Sequence, residues 1–309
     1  MKKMKNGRIP EELAERVERG LFPRKKNRTV QDVLKNFDAE KLIGKSTRIG
    51  TIGSCFAVEV RKWLDSNGYN TVPSKWGIMY TPQNIAQVFS FAADIGMQSA
   101  DIFSEMAEPI WHHNGKYCDP YRKSLSESGP WYLGDTEEEA MAKQRKNYTA
   151  IYNKMKATDV MVITLGLIEG FVSDDGWMFY AMPHQSTYKP AEHRMKRLSV
   201  AQVVEELQNI ELAWERVNPD VKIIYSVSPV PLSLTMREGV SPVIANTLSK
   251  STLYAALAEH LQHSRVGHYM PSYDIAMSDQ KKFFKDDGRH VNERCVGTIM
   301  KAFAELFVE

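Results

Sequence analysis

Three side chains in this sequence have the types and neighbours that nucleophilic chemistry requires: Ser54, Asp287 and His290. Asp287 and His290 stand three residues apart just ahead of a helical stretch, so one turn of backbone lets the carboxylate hold the imidazole. Serine becomes a nucleophile when an imidazole takes its proton while an acid fixes the tautomer and stabilises the imidazolium. Ser54 lies where a strand hands over to a helix, with the free N–H groups of the first helical turn beside its oxygen. A serine there is also an ordinary N-cap, and its spacing alone leaves both roles open. Cys55 is a second nucleophile to weigh, because a helix N-terminus lowers a thiol pKa; cysteine is also often just a small buried residue.

The elements that must position these groups are readable from their patterns. Thr47 to Ile52 is a β-branched run that predicts a strand, and Phe56, Val60, Trp63 and Leu64 recur at helical spacing until Gly68. Thr81 and Pro82 open a helix with the stripe Ile85, Val88, Phe89 and Ala92, preceded by Gly77 in a loop whose N–H could serve a ligand or only a turn. A capping box at Thr136 to Glu139 starts a long helix to about Lys156, which feeds a buried strand at Asp159 to Thr164. Gly166 and Glu169 follow that strand, where a turn places polar groups at a carboxyl end. A helix from Ser199 to Val217, a strand from Val221 to Ser226, a helix over about 242 to 263 and a last strand within Tyr269 to Ile275 continue the alternation. A terminal helix buries Val296, Ile299, Met300, Phe303 and Phe307. Helices alternating with short apolar strands predict an α/β domain with a parallel sheet covered on both faces.

Residues 1–46 read as a polar N-terminal helical extension and 47–309 as the main domain, with insertions around 95–135 and 171–198. Within the second, Asp174-Asp175-Gly176 predicts a hairpin turn between Phe171-Val172 and Trp177 to Tyr180, and His184 is a candidate to enter the site. His112, His113 and Cys118 make a conceivable metal set, but adjacent strand histidines point to opposite faces, so no metal is expected. At 309 residues and 43% hydrophobic content the chain can bury a large core. A formal charge of +2 gives no reason to expect nucleic acid as a partner. Three cysteines without close pairing, no signal-peptide pattern and no apolar run of membrane-spanning length point to a cytoplasmic protein.

Gly53-Ser54-Cys55-Phe56-Ala57 matches the signature of the GSCFA-domain family, and the chain resembles that group, related to the SGNH/GDSL hydrolases, over roughly residues 47 to 305. Similar segments are Gly77 to Pro82, Thr164 to Glu169, Val227 to Leu232, Asn246 to Ser251 and the Asp287 to His290 pair. The resemblance implies a flavodoxin-like three-layer α/β/α sandwich, Ser54 as nucleophile, His290 as general base and Asp287 as its orienting partner. It further implies the Ser54 and Gly77 N–H groups as oxyanion donors. Where SGNH enzymes place a third donor, an Asn, this chain has Ile168, so Glu169 or another group must organise that side. The implied function is a serine-dependent esterase or O-acyltransferase acting on an acylated carbohydrate or polysaccharide precursor through an acyl-Ser54 intermediate. No cofactor is expected beyond an acyl donor such as acyl-CoA for a transferase. The alternative is a non-catalytic saccharide-binding protein using Trp76, Trp111, Trp131 and Trp177.

Overall fold

The computed structural model describes residues 20, 22, 28–73, 76–97, 111–123, 130–183 and 188–309. The expected helix at Pro10 to Ala14 and the candidate His184 lie outside them. The sequence-predicted second helix of the extension is there as α1 (Val30–Leu34), closed by a capping box between Thr29 and Asp32.

The centre is a parallel sheet of β1 (Ile49–Gly53), β5 (Val160–Leu165), β8 (Lys222–Val227) and β9 (Gly267–Tyr269) in that spatial order. Registers run Ile49 to Gly53 against Val160 to Thr164, and Val160 to Leu165 against Lys222 to Val227. On the outer side of β1, Ile49 pairs in parallel with Thr71 through a single bridge, held by Ile49 N–H to Asn70 O and Val72 N–H to Ile49 O. Counting that bridge as a vestigial strand gives the order 2-1-3-4-5, the flavodoxin-like winding whose switch point falls between β1 and β5. Ligand crevices in such sheets open at the carboxyl ends of the strands flanking that point, where Ser54 stands.

Period-two alternation divides the core. Val160, Val162 and Ile224 face one layer, with Phe56, Val60 and Leu64 of α2 (Cys55–Ser66) and Ile299, Met300 and Phe303 of α9 (Glu293–Phe307). Met161, Ile163, Ile223 and Tyr225 face the other, with α3 (Pro82–Gly96), α4 (Glu137–Lys156), α5 (Val200–Val217) and α6 (Pro242–Leu261). The result is a three-layer α/β/α fold. Each helix starts as its residues predict: Thr81, Thr136, Ser199 and Ser241 all accept an N–H of the first turn, and Pro82 and Pro242 occupy opening positions that need no donor.

Two further sets of strands are antiparallel. The first pairs β2 (Trp111–His113), β3 (Lys116–Lys123) and β4 (Pro130–Gly134). A buried Arg122–Asp119 ion pair, with the guanidinium over the Trp131 and Tyr148 rings, ties it to α4. The second pairs β6 (Glu169–Val172) with β7 (Arg194–Arg197).

Two expectations are corrected here. The last strand ends at Tyr269 rather than running on towards Ile275: Ser272–Ser278 form helix α7, since Pro271 fixes the turn and Ser272, Ile275 and Ala276 share one buried face. The turn at 174–176 exists, with Gly176 at φ +87°, but it yields only the Val172–Met178 bridge, because β6 has its ladder with β7 on the other side.

Candidate active site

Gly53 closes β1 at φ +126°, and a Cβ there would fall 2.2 Å from Thr164 O, so only glycine lets β1 and β5 meet at this point. The constriction presses Ser54 onto β5. Ser54 N–H donates to Thr164 O (3.1 Å) and Thr164 Oγ1 (3.0 Å), and the two hydroxyls are 3.0 Å apart. Ser54 Oγ also accepts the Phe56 N–H at 3.2 Å, capping α2, and the residue is 3% exposed. The capping role is thus seen, and the same oxygen stands at the switch point.

Opposite lies the turn before α9. His290 Nδ1 stands 2.6 Å from Asp287 Oδ2, and Asp287 Oδ1 accepts the N–H groups of Arg289 and His290 at 2.9 Å each. These bonds, His290 first, hold the Asp287 carboxyl well below the usual carboxylate range. An aspartate kept anionic in this way fixes the imidazole's other nitrogen as the one available for proton transfer. The helix of α8 (Gln280–Phe283) and the Phe284–Val291 bridge anchor the turn from behind.

His290 faces a cavity of about 660 Å³ that it shares with Cys55, Phe56, Trp63, Val230 and Lys285. Cys55 therefore lines the imidazole's cavity, whereas Ser54 is buried one residue behind. No hydrogen bond joins Ser54 to His290 among the described residues. Burial pushes the Cys55 thiol up, with Arg289 and Lys250 pulling partly against it. The expected lowering by the helix N-terminus is overturned: the desolvation of a half-buried sulfur outweighs it.

The remaining sequence candidates fall around Ser54 in unequal roles. Gly77, at φ +87°, precedes Ile78, which bridges to Gly53, so its backbone lies beside the Ser54 junction. Gly166 packs there too, where a Cβ would sit 3.4 Å from Ser54 Cβ and 3.0 Å from Tyr80 O. Its N–H, like that of Leu167, is committed to Tyr80 O. The Ser54 N–H implied as an oxyanion donor is likewise engaged by Thr164. Glu169 turns aside: Oε1 accepts the Thr235 hydroxyl at 2.7 Å and Oε2 pairs with Arg237 Nε at 2.5 Å, both side chains 7% exposed.

What organises the turn after β5 is α6. Ser249 Oγ accepts the Ile168 N–H at 3.1 Å, and Lys250 Nζ donates to Gly166 O (2.8 Å) and Val230 O (2.9 Å). Lys250 ties the turns after β5 and β8 together with a buried cation, and no carboxylate pairs with it among the described residues. Burial lowers its pKa to about 7, partly offset by Cys55. Reading residues for chemistry overlooked Lys250, since a lysine in an amphipathic helix reads as solvent-facing; the one signal was its place in the Asn246 to Ser251 segment.

The other readings lose their geometric basis. Trp76 and Trp111 are buried, Trp131 lies under Arg122 and Trp177 packs on Phe91, so these rings act as packing anchors rather than sugar platforms. His112 is exposed and pairs with Tyr117 while Cys118 is buried opposite Trp111, and no metal-ligating cluster occurs among the described residues. Nor, among those residues, is any helix long and apolar enough to cross a membrane.

Comparison with known proteins adds a family. The model of the GSCFA family matches residues 48–303. A comparison with curated protein sequences finds no match. Among solved structures, a mutant acetyl esterase with acetate ion is similar at 11% identity and TM-score 0.39, covering 84% of this chain and 98% of that one. A carbohydrate esterase family 3 protein from Talaromyces cellulolyticus has the same identity and TM-score, over 84% and 95% of the two chains. An acetyl xylan esterase from the rumen bacterium Butyrivibrio proteoclasticus stands at 9% and 0.37, over 85% and 64%. Likeness this slight fixes neither activity nor substrate.

Proposed function

We propose that this chain, which belongs to the GSCFA family, is a serine-dependent acyl-ester enzyme that works through an acyl-Ser54 intermediate on an acylated carbohydrate. The observation that carries the reading is the Asp287–His290 pair, hydrogen-bonded at 2.6 Å and facing the cavity at the N-terminus of α2. His290 takes the Ser54 proton as the oxygen attacks the ester carbonyl, and gives it to the departing sugar oxygen, which leaves as a hydroxyl. Water then attacks the acyl carbonyl under the same base in an esterase, or a second sugar hydroxyl does so in an O-acyltransferase. Charge on the tetrahedral oxygen is met by the Gly77 N–H and by the ammonium of Lys250 nearby. Catalytic hydrogen bonds absent at rest tighten when substrate is bound, and for Ser54 that means exchanging Thr164 for His290.

A second nucleophile is favoured by one observation, the position of Cys55 on the imidazole's cavity. Turnover of p-nitrophenyl acetate and of acetylated xylo-oligosaccharides by Ser54→Ala and Cys55→Ala separates the two. The serine reading expects about a 10⁴-fold loss or more in the first and activity within about tenfold of wild type in the second. The reverse pattern assigns the chemistry to sulfur.

A further inference from the structure

Beyond the turn that packs on Ser54 lies a smaller cavity of about 190 Å³, walled by Tyr80, Leu167, Phe171, Phe179, Met182 and Met195. It adjoins the site through the backbone that touches Ser54: Gly166 and Leu167 both donate to Tyr80 O, and Leu167 and Tyr80 line the cavity. The volume is below the roughly 300–1,000 Å³ of pockets for drug-sized ligands. Its one charged wall, Glu169, is already neutralised by buried Arg237 and hydrogen-bonded by Thr235.

We infer that this cavity is the acyl-chain subsite, taking the tail of an acyl group longer than acetyl while the sugar lies in the larger cavity at His290. The inference rests on the acyl-Ser54 reading. A sugar ring here would bury hydroxyls against aromatic and thioether walls that offer few partners, which is unfavourable. Each methylene placed against the same walls is favourable. Three methionine side chains, Met182, Met195 and Met236, let the walls adapt to chain length.

Two measurements test this, one of them independent of catalysis. Binding of n-hexanol, followed by ligand-detected NMR, reads the cavity alone; kcat/KM for p-nitrophenyl acetate, butyrate and hexanoate reads its use. Wild type is expected to bind hexanol and to prefer butyrate over acetate by about tenfold or more. Ala181→Trp, which fills the cavity, is expected to lose hexanol binding and reverse the preference, while Met195→Ala, which enlarges it, shifts the optimum toward hexanoate. A protein that favours acetate and keeps the same chain-length profile in both variants overturns the subsite. Hexanol binding without turnover of any ester, in a protein whose Ser54 resists a fluorophosphonate, overturns the acyl-Ser54 reading itself and with it the acyl identity of the occupant.

Discussion

The two ends of the candidate site are built in opposite ways. Ser54 sits on tightly packed backbone, pressed by a positive-φ glycine against β5, buried and bonded through both its N–H and its hydroxyl. The Asp287–His290 pair sits on an exposed turn, each side chain 47% accessible, held by its own local hydrogen bonds and a single bridge behind it. The difference teaches where specificity and motion reside. A candidate nucleophile at the carboxyl edge of the sheet is positioned by the fold, whereas a candidate base on a surface turn is positioned by a few side chains and has more freedom to shift.

The strongest way to break the comparison is at Gly53. Gly53→Ala forces a Cβ into Thr164 O in a backbone conformation that alanine avoids, and is expected to cost about 3 kcal/mol or more, read as a large drop in the denaturation midpoint. A near-normal midpoint would mean that the sheet edge is not the rigid end.

Asp287→Asn probes the other end. It leaves the turn's shape largely accessible but removes the anion that fixes the imidazole, so turnover is expected to fall about 10²- to 10⁴-fold with little change in the melting temperature. Retained activity would detach the pair from the chemistry.

A third effect, read as a slope with pH rather than as a loss at one pH, is expected where Lys250 ties the turns after β5 and β8 together. Lys250, with its folded pKa lowered to about 7 and an unfolded value near 10.4, binds more protons unfolded than folded across that window. Stability therefore rises with pH from about 7 to about 10.4 by this group's contribution, and what it adds at high pH is lost as pH falls through the folded value. Chemical denaturation of wild type and Lys250→Met between pH ~7 and ~10 is expected to show this slope in wild type only; parallel pH profiles would mean that the cation is solvated.

Much of this was legible in the residues. The β1–α2 junction follows from a β-branched run, a glycine and an N-cap serine, and the helices of the covering layers from caps and stripes, because each signal is local. The parallel sheet followed from their alternation. The strand at 267–269 escaped because it is short and half-buried, with no apolar run to mark it. The partner of β6 escaped because β7, Arg194–Arg197, reads as a charged surface segment. In the site, the Asp287–His290 contact followed from spacing, but the capture of the Ser54 N–H by Thr164 and the dip of Lys250 into the turn after β5 depend on contacts across more than eighty residues of sequence. Local pattern has no access to them.

The central claim is that Ser54, though buried and capping its helix, is the atom His290 activates. Mass-spectrometric mapping of a fluorophosphonate adduct tests it most directly, comparing wild type with His290→Ala. The account predicts stoichiometric phosphonylation of Ser54 in wild type, slowed by about 10²-fold or more when the imidazole is removed. An adduct on Cys55, or labelling of Ser54 at an equal rate without His290, would contradict it.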